Sequence, residues 1–185
     1  MDPLAYRLEL TKDQPRAQAV IKAAADMANW KKKRPGRVLG IAFSDYHDTL
    51  TAGVAEVSVD KTTGKIKVHN YWIAVDPGLV IQPENAQAQI ESAVVYALSG
   101  ALSEELSMKD GAIQQSNFND YHVLRMSDMP ELHIRIIASN NPPTGMGEVG
   151  IPTVAPAIGN AVAQLTGKRL RHLPMSSDRV KKALA

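Results

Sequence analysis

Apolar positions along this chain change period several times, and the changes outline its elements. Between Pro15 and Trp30, Ala17, Val20, Ala24 and Met27 recur at the three- and four-residue spacing that places them on one side of a helix. Pro15 suits the first turn of that helix, and the cations of KKKRPG follow its C-terminal end, where the helix dipole favours them. From Val38 the period shortens. VLGIAF, VAEVSV and KIKVHNYWIAV read as strands, the last two joined by DKTTG, in which Gly64 can take the left-handed conformation of a tight turn. Helical spacing returns in QPENAQAQIESAVVYALSGAL, where Ile90, Ala93, Val94, Ala97, Leu98, Ala101 and Leu102 make one continuous apolar face.

MKDGAI then predicts a turn into a short strand, QQSNFNDYHVLRMSDMP an irregular stretch and ELHIRIIAS a further strand. Val154, Ile158, Ala161, Val162 and Leu165 stripe a last helix that Gly167 is placed to cap. Strands in a run, then helix, strand and helix, fit an α+β fold: a mixed β-sheet with helices packed on it. The expected organisation is one domain over residues 1–185, with 1–35 a helical lead-in and 174–185 a basic, disordered tail.

Composition narrows the function classes. No apolar run approaches the roughly 20 residues of a membrane-spanning helix. MDPLAYRLEL lacks the basic start and apolar stretch of a signal peptide, so the reading of compartment stays open between cytoplasm and periplasm. With no cysteine, the chain cannot supply disulfides, zinc thiolates or iron–sulfur ligands. Its five histidines show neither H-x-H nor H-x-x-x-H spacing, so no metal held by side chains is expected. The net charge of +2 conceals a basic end in which Lys168, Arg169, Arg171, Arg179, Lys181 and Lys182 face only Asp178. An anion- or nucleic-acid-binding surface is one reading of it. A solvated end is the commoner one, and no aromatic residues interleave the cations as base stacking requires, so no nucleic-acid partner is expected.

GMGEVG, residues 145 to 150, matches the glycine pattern of dinucleotide loops, and its context rejects that role. Such a loop needs a strand running directly in, a helix directly out and an acid about 20 residues on. NNPP separates the strand from Gly145, Pro152 and Pro156 break a helix starting at Gly147, and TGKRLR stands where the acid belongs. What remains is a permissive loop before a helix, with Glu148 its one ionisable group. A carboxylate favoured by the helix dipole, worth about 0.3 to 1 kcal/mol, is the plain reading of that residue.

In its surroundings, PPTGMGEVGIPTVAPAIGNAVAQLTGKRLRHLP resembles the C-terminal end of the molybdenum-binding subunits of the xanthine oxidase and aldehyde oxidase family, nearest the isoquinoline 1-oxidoreductase beta-subunit branch. DPLAYRL, VAEVSVD, AVDPG, QAQIESAVVYALSGAL and QSNFNDYHVLRMSDMPEL extend the likeness, in order, over nearly the whole chain. The resemblance implies hydroxylation of an N-heterocycle or aldehyde with water as oxygen source, and Glu148 as the general base. Its molybdenum is held by a pterin (molybdopterin, or the cytosine dinucleotide form), with Gln89, Thr144 and Gly147 as contacts. Gly145, Gly147 and Gly150 would then let the backbone approach that group, and Glu148 is expected to be buried beside it, an environment suited to general-base work.

The implied partners are the N-terminal remainder of the molybdenum subunit and a small [2Fe-2S] subunit, without which the chain holds no cofactor and is inactive. Two positions depart from the family pattern: Ser92 replaces a glycine after QIE, and Pro77 replaces a cysteine in AVDPG. A non-catalytic scaffold or binding module that keeps the fold is the alternative.

Overall fold

The computed structural model describes all 185 residues. Helices α1 (Pro3–Leu10) and α2 (Pro15–Met27) precede strands β1 (Val38–Tyr46), β2 (Thr49–Val59) and β3 (Ile66–Asp76). Helix α3 (Pro83–Leu102), a small arm of β4 (Met108–Lys109) and β5 (Ala112–Ile113), strand β6 (Glu131–Ile136), and helices α4 (Val154–Thr166) and α5 (Ser177–Leu184) follow. The sheet runs β1-β2-β3-β6, antiparallel except for the parallel β3·β6 pair. The expected mixed sheet with packed helices is what forms.

Alternation of side chains across the strands explains the layers. Leu50, Ala52 and Val54 of β2, with Trp72 and Ala74 of β3, meet Val20, Ile21 and Ala24 of α2. Ala55 and Val57, with Ile73 and Val75, point the other way into a core completed by α3 and α4. Each fully buried Ile or Val contributes about 1.5–3 kcal/mol relative to exposure, so a sheet buried on both faces is strongly anchored. One glycine makes room inside it: a Cβ on Gly53 would lie 2.0 Å from the Tyr71 hydroxyl, which bonds Thr153 Oγ1 at 2.9 Å. Burial pushes the Tyr71 phenol far up, so it stays neutral and ties the sheet to the start of α4.

Three elements differ from the sequence reading. VLGIAF and VAEVSV were each expected as short strands, yet β1 runs on to Tyr46 and β2 begins at Thr49. His47 and Asp48 alone turn the chain, at φ +51° and +59°. This is the two-residue turn that matches strand twist, made without its usual glycine. Secondly, the basic tail is not a disordered end: Ser176 caps α5, Val180 is fully buried, and Arg179 pairs with Glu105. Amphipathic spacing in a short, charged segment hid that helix. Thirdly, MKDGAI forms a two-stranded arm in which Asp110 and Gly111 both take positive φ.

The parallel pair positions the loop of interest. Loops leaving the carboxyl ends of β3 and β6 run side by side, with Leu79 N donating to Asn141 O and Thr144 N to Pro77 O, each at 2.9 Å. Gly78, at φ +77°, lies so close that a Cβ would be 2.1 Å from Pro142 O. In open α/β sheets ligands bind beyond the carboxyl ends of parallel strands, and β3·β6 is the one parallel pair of this sheet.

Candidate functional site

Residues 144 to 150 are stitched to the β1–β2 hairpin by side chains that the sheet itself holds. Thr49, fully buried, donates to Gly145 O at 2.6 Å and lies 2.6 Å from Thr144 Oγ1. Thr144 Oγ1 also reaches Pro77 O at 3.0 Å, and Thr51 Oγ1 donates to Val149 O at 3.2 Å. At the hairpin's end the Tyr46 hydroxyl donates to Glu148 Oε1 at 2.9 Å. That hydrogen bond, and then the carboxylate's charge, raise the phenol's pKa above its ordinary value. No bond is recorded for Glu148 Oε2, and the side chain is exposed.

Glu148 is therefore not buried by these residues, against expectation. Local pattern placed it in a loop, while burial depends on what else surrounds that loop. The glycines also divide. Gly150 is buried, and a Cβ there would sit 3.0 Å from Ala93 Cβ of α3, so it serves packing. A Cβ on Gly145 would meet His47 Cβ at 3.2 Å. Gly147 has nothing within 4 Å of that position and is exposed, which leaves it alone open to an outside group. None of the three takes positive φ, so turn geometry is not what requires them, and close packing accounts for Gly145 and Gly150 only.

Gln89 lies on α3 next to Ile90, whose carbonyl is 3.6 Å from the Cβ position of Gly150. Its exposed side chain makes no hydrogen bond within the chain, and Ser92 beside it is exposed too, so that departure creates no internal clash. Thr144 differs: its hydroxyl is engaged by Pro77 O and Thr49, so within the chain it fixes the loop. The AVDPG segment, read only as a motif, has a clear physical part. Asp76 is buried, accepts from Arg16 Nε at 2.7 Å and from Gly78 N at 3.1 Å. Burial alone would raise its carboxyl pKa, but the bonds from Arg16 and Gly78 outweigh that and hold it below the ordinary value.

Two polar features went unread in the sequence. Tyr46 and Thr49 carry no motif, and only the register Tyr46↔Thr49 reveals that one hairpin end holds the loop at two points. At the opposite end of the sheet, buried Glu56 binds Arg34 at 3.1 Å and accepts from Asn70 at 2.6 Å, an internal tie for the KKKRPGR segment. A surface groove of about 750 Å³, lined in part by Lys67, His69 and Met175, also lies toward the start of β3. We place the candidate site at the other end, because the open carboxylate and open backbone gather there.

A model of the molybdopterin cofactor-binding domain matches residues 13–130. The beta subunit of isoquinoline 1-oxidoreductase from Brevundimonas diminuta is 38% identical over 178 residues, covering 94% of this chain and 23% of that protein. This chain belongs to the molybdopterin cofactor-binding domain family. A second relative, the membrane-bound aldehyde dehydrogenase [pyrroloquinoline-quinone] of Gluconacetobacter polyoxogenes, is 34% identical over 94% of this chain and 25% of its own length. Among solved structures, quinoline 2-oxidoreductase from Pseudomonas putida 86 shares the fold, with a TM-score of 0.69 at 23% identity over 74% of this chain and 18% of that one. The chain thus spans about a quarter or less of the proteins it matches. No helix is long and apolar enough to cross a membrane.

A molybdenum–pterin group fits the residues of this family member in two respects. The backbone N–H groups from Gly145 to Glu148 donate to no acceptor within the chain, and Gly147 leaves space for close approach. Those N–H groups are available to donate to oxygens of a bound group. An exposed amide at Gln89 can both donate and accept, as a pterin edge requires.

Proposed function

We propose that this chain is the C-terminal part of the molybdenum subunit of a hydroxylase, and that Glu148 is its general base. The observation that carries the reading is an exposed carboxylate with one oxygen held by Tyr46 and the other open, in a loop whose N–H groups lack acceptors. When bound, the molybdenum–pterin cofactor, as molybdopterin or its cytosine dinucleotide form, supplies two-electron redox chemistry at the substrate carbon, with water as the oxygen source. Glu148 Oε2 takes the proton released as the new carbon–oxygen bond forms. Gln89 and the Gly147 backbone hold the pterin, and Thr49 and Thr144 keep the loop from moving away from it.

The substrate class is an N-heterocycle or an aldehyde, in keeping with the names of the two relatives. The upstream part of the subunit supplies the rest of the site, a small [2Fe-2S] subunit removes electrons, and the isolated chain does not turn over. Co-expression with that upstream part tests the reading: Glu148→Gln is expected to retain molybdenum and pterin while turnover falls by at least about a thousandfold. Turnover within about threefold of the unsubstituted enzyme would reject the base assignment. The exposure of Glu148 favours one second reading, a non-catalytic scaffold that keeps the fold. An assembled complex without molybdenum would establish it.

A further inference from the structure

Tyr46 is the last residue of β1 and sits opposite Thr49, the first of β2. The same pair reaches the glutamate loop twice: Thr49 through Gly145 O at 2.6 Å, and Tyr46 through Glu148 Oε1 at 2.9 Å. His47 and Asp48 between them occupy left-handed conformations, which are rare for residues other than glycine and persist where the surroundings enforce them. The His47 ring packs on Tyr46 with centroids 4.2 Å apart. Tyr46 and Glu148 are both exposed, so their bond is not needed to satisfy a buried group. It engages one carboxylate oxygen and leaves the other without a partner in the chain.

We propose that Tyr46 is a positioning residue for Glu148: its phenol O–H holds Oε1, so that Oε2 is the atom left to accept the proton. This rests on the reading of Glu148 as the base. The phenol's raised pKa agrees with a bond made to an ionised carboxylate. Charged groups near this corner include Asp45 and Asp48 on the hairpin and Arg16 on α2, whose direct partner is Asp76, and His47 is a further titratable neighbour.

The first test needs no cofactor. In the full chain carrying ¹³C-labelled tyrosine and glutamate, Tyr46→Phe is expected to shift the Glu148 carboxyl resonance, and Glu148→Gln to let Tyr46 ionise at lower pH, with the remaining spectrum unchanged. Independence of the two groups would overturn the proposal. In the assembled enzyme Tyr46→Phe should lower kcat about tenfold or more, leave KM within about twofold and leave molybdenum content unchanged. A kcat within about twofold would also overturn it. If instead Glu148→Gln keeps full turnover, the base reading falls and the catalytic part of this proposal with it, even where the resonances are coupled.

Discussion

Thr49 Oγ1 donates to the carbonyl oxygen of Gly145 at 2.6 Å, joining a fully buried strand residue to an exposed loop. Thr49→Val keeps the shape of the side chain and removes the hydroxyl, leaving the Thr144 hydroxyl and the Gly145 carbonyl without that partner. We expect a loss of about 1–3 kcal/mol, read as a lower urea midpoint with unchanged slope. Faster proteolysis within residues 141–150 should accompany it. An unchanged midpoint would mean that water replaces the tie at no cost.

The glycines of GMGEVG should separate by experiment. Gly147→Ala adds a methyl group where nothing lies within 4 Å, so stability should stay within about 0.5 kcal/mol. In the assembled subunit the same change should lower pterin content, because it fills the one open approach. Gly53→Ala is the contrasting control. It places a methyl group 2.0 Å from the Tyr71 hydroxyl and should cost about 1–3 kcal/mol or more by overpacking. Equal stability for the two variants would contradict the packing described.

Periodicity made the framework legible. Ile90, Val94 and Leu98 on α3, and Ile158, Ala161 and Val162 on α4, are buried as their spacing requires, and Gly167 closes α4 at φ +74°. The β1–β2 turn was illegible because His47 and Asp48 adopt left-handed conformations under the constraint of paired strands, with no Asn-Gly to announce it. The proposed role of Glu148 comes from resemblance, and its partner Tyr46 lies 102 residues away, a separation at which local pattern carries no information. The structural part of Thr144 was hidden for a related reason. A hydroxyl next to a glycine loop looks available until Pro77 and Thr49 are seen to occupy it.

Asp76 gives the fold a defined acid sensitivity. Its folded-state pKa lies below the ordinary value of about 3.9, through the bonds from Arg16 and Gly78 acting against burial. A depressed carboxyl adds stability that is complete above the unfolded pKa and is lost as pH falls through the folded one. Stability from this residue should therefore be constant from pH 7 to about 5 and decline below about pH 4. Asp76→Asn should lower the urea midpoint at pH 7 and remove that part of the acid decline. A parallel pH profile for the variant would assign the acid sensitivity to other carboxylates.

Gln89 tests the cofactor side of the reading without touching the base. It is exposed on α3, one residue from the Ile90 carbonyl that borders Gly150, and its amide has no partner in the chain. Alanine is the better helix former and nothing internal depends on the amide, so Gln89→Ala should leave the unfolding midpoint unchanged or slightly raised. In the assembled subunit it should release a large part of the pterin, measured as the fluorescent oxidation product per mole of protein. A residue that merely decorates a solvated helix face would leave that content unchanged. Loss of pterin from Gln89→Ala together with retention in Glu148→Gln would separate the two tasks, one side chain holding the group and the other accepting a proton beside it.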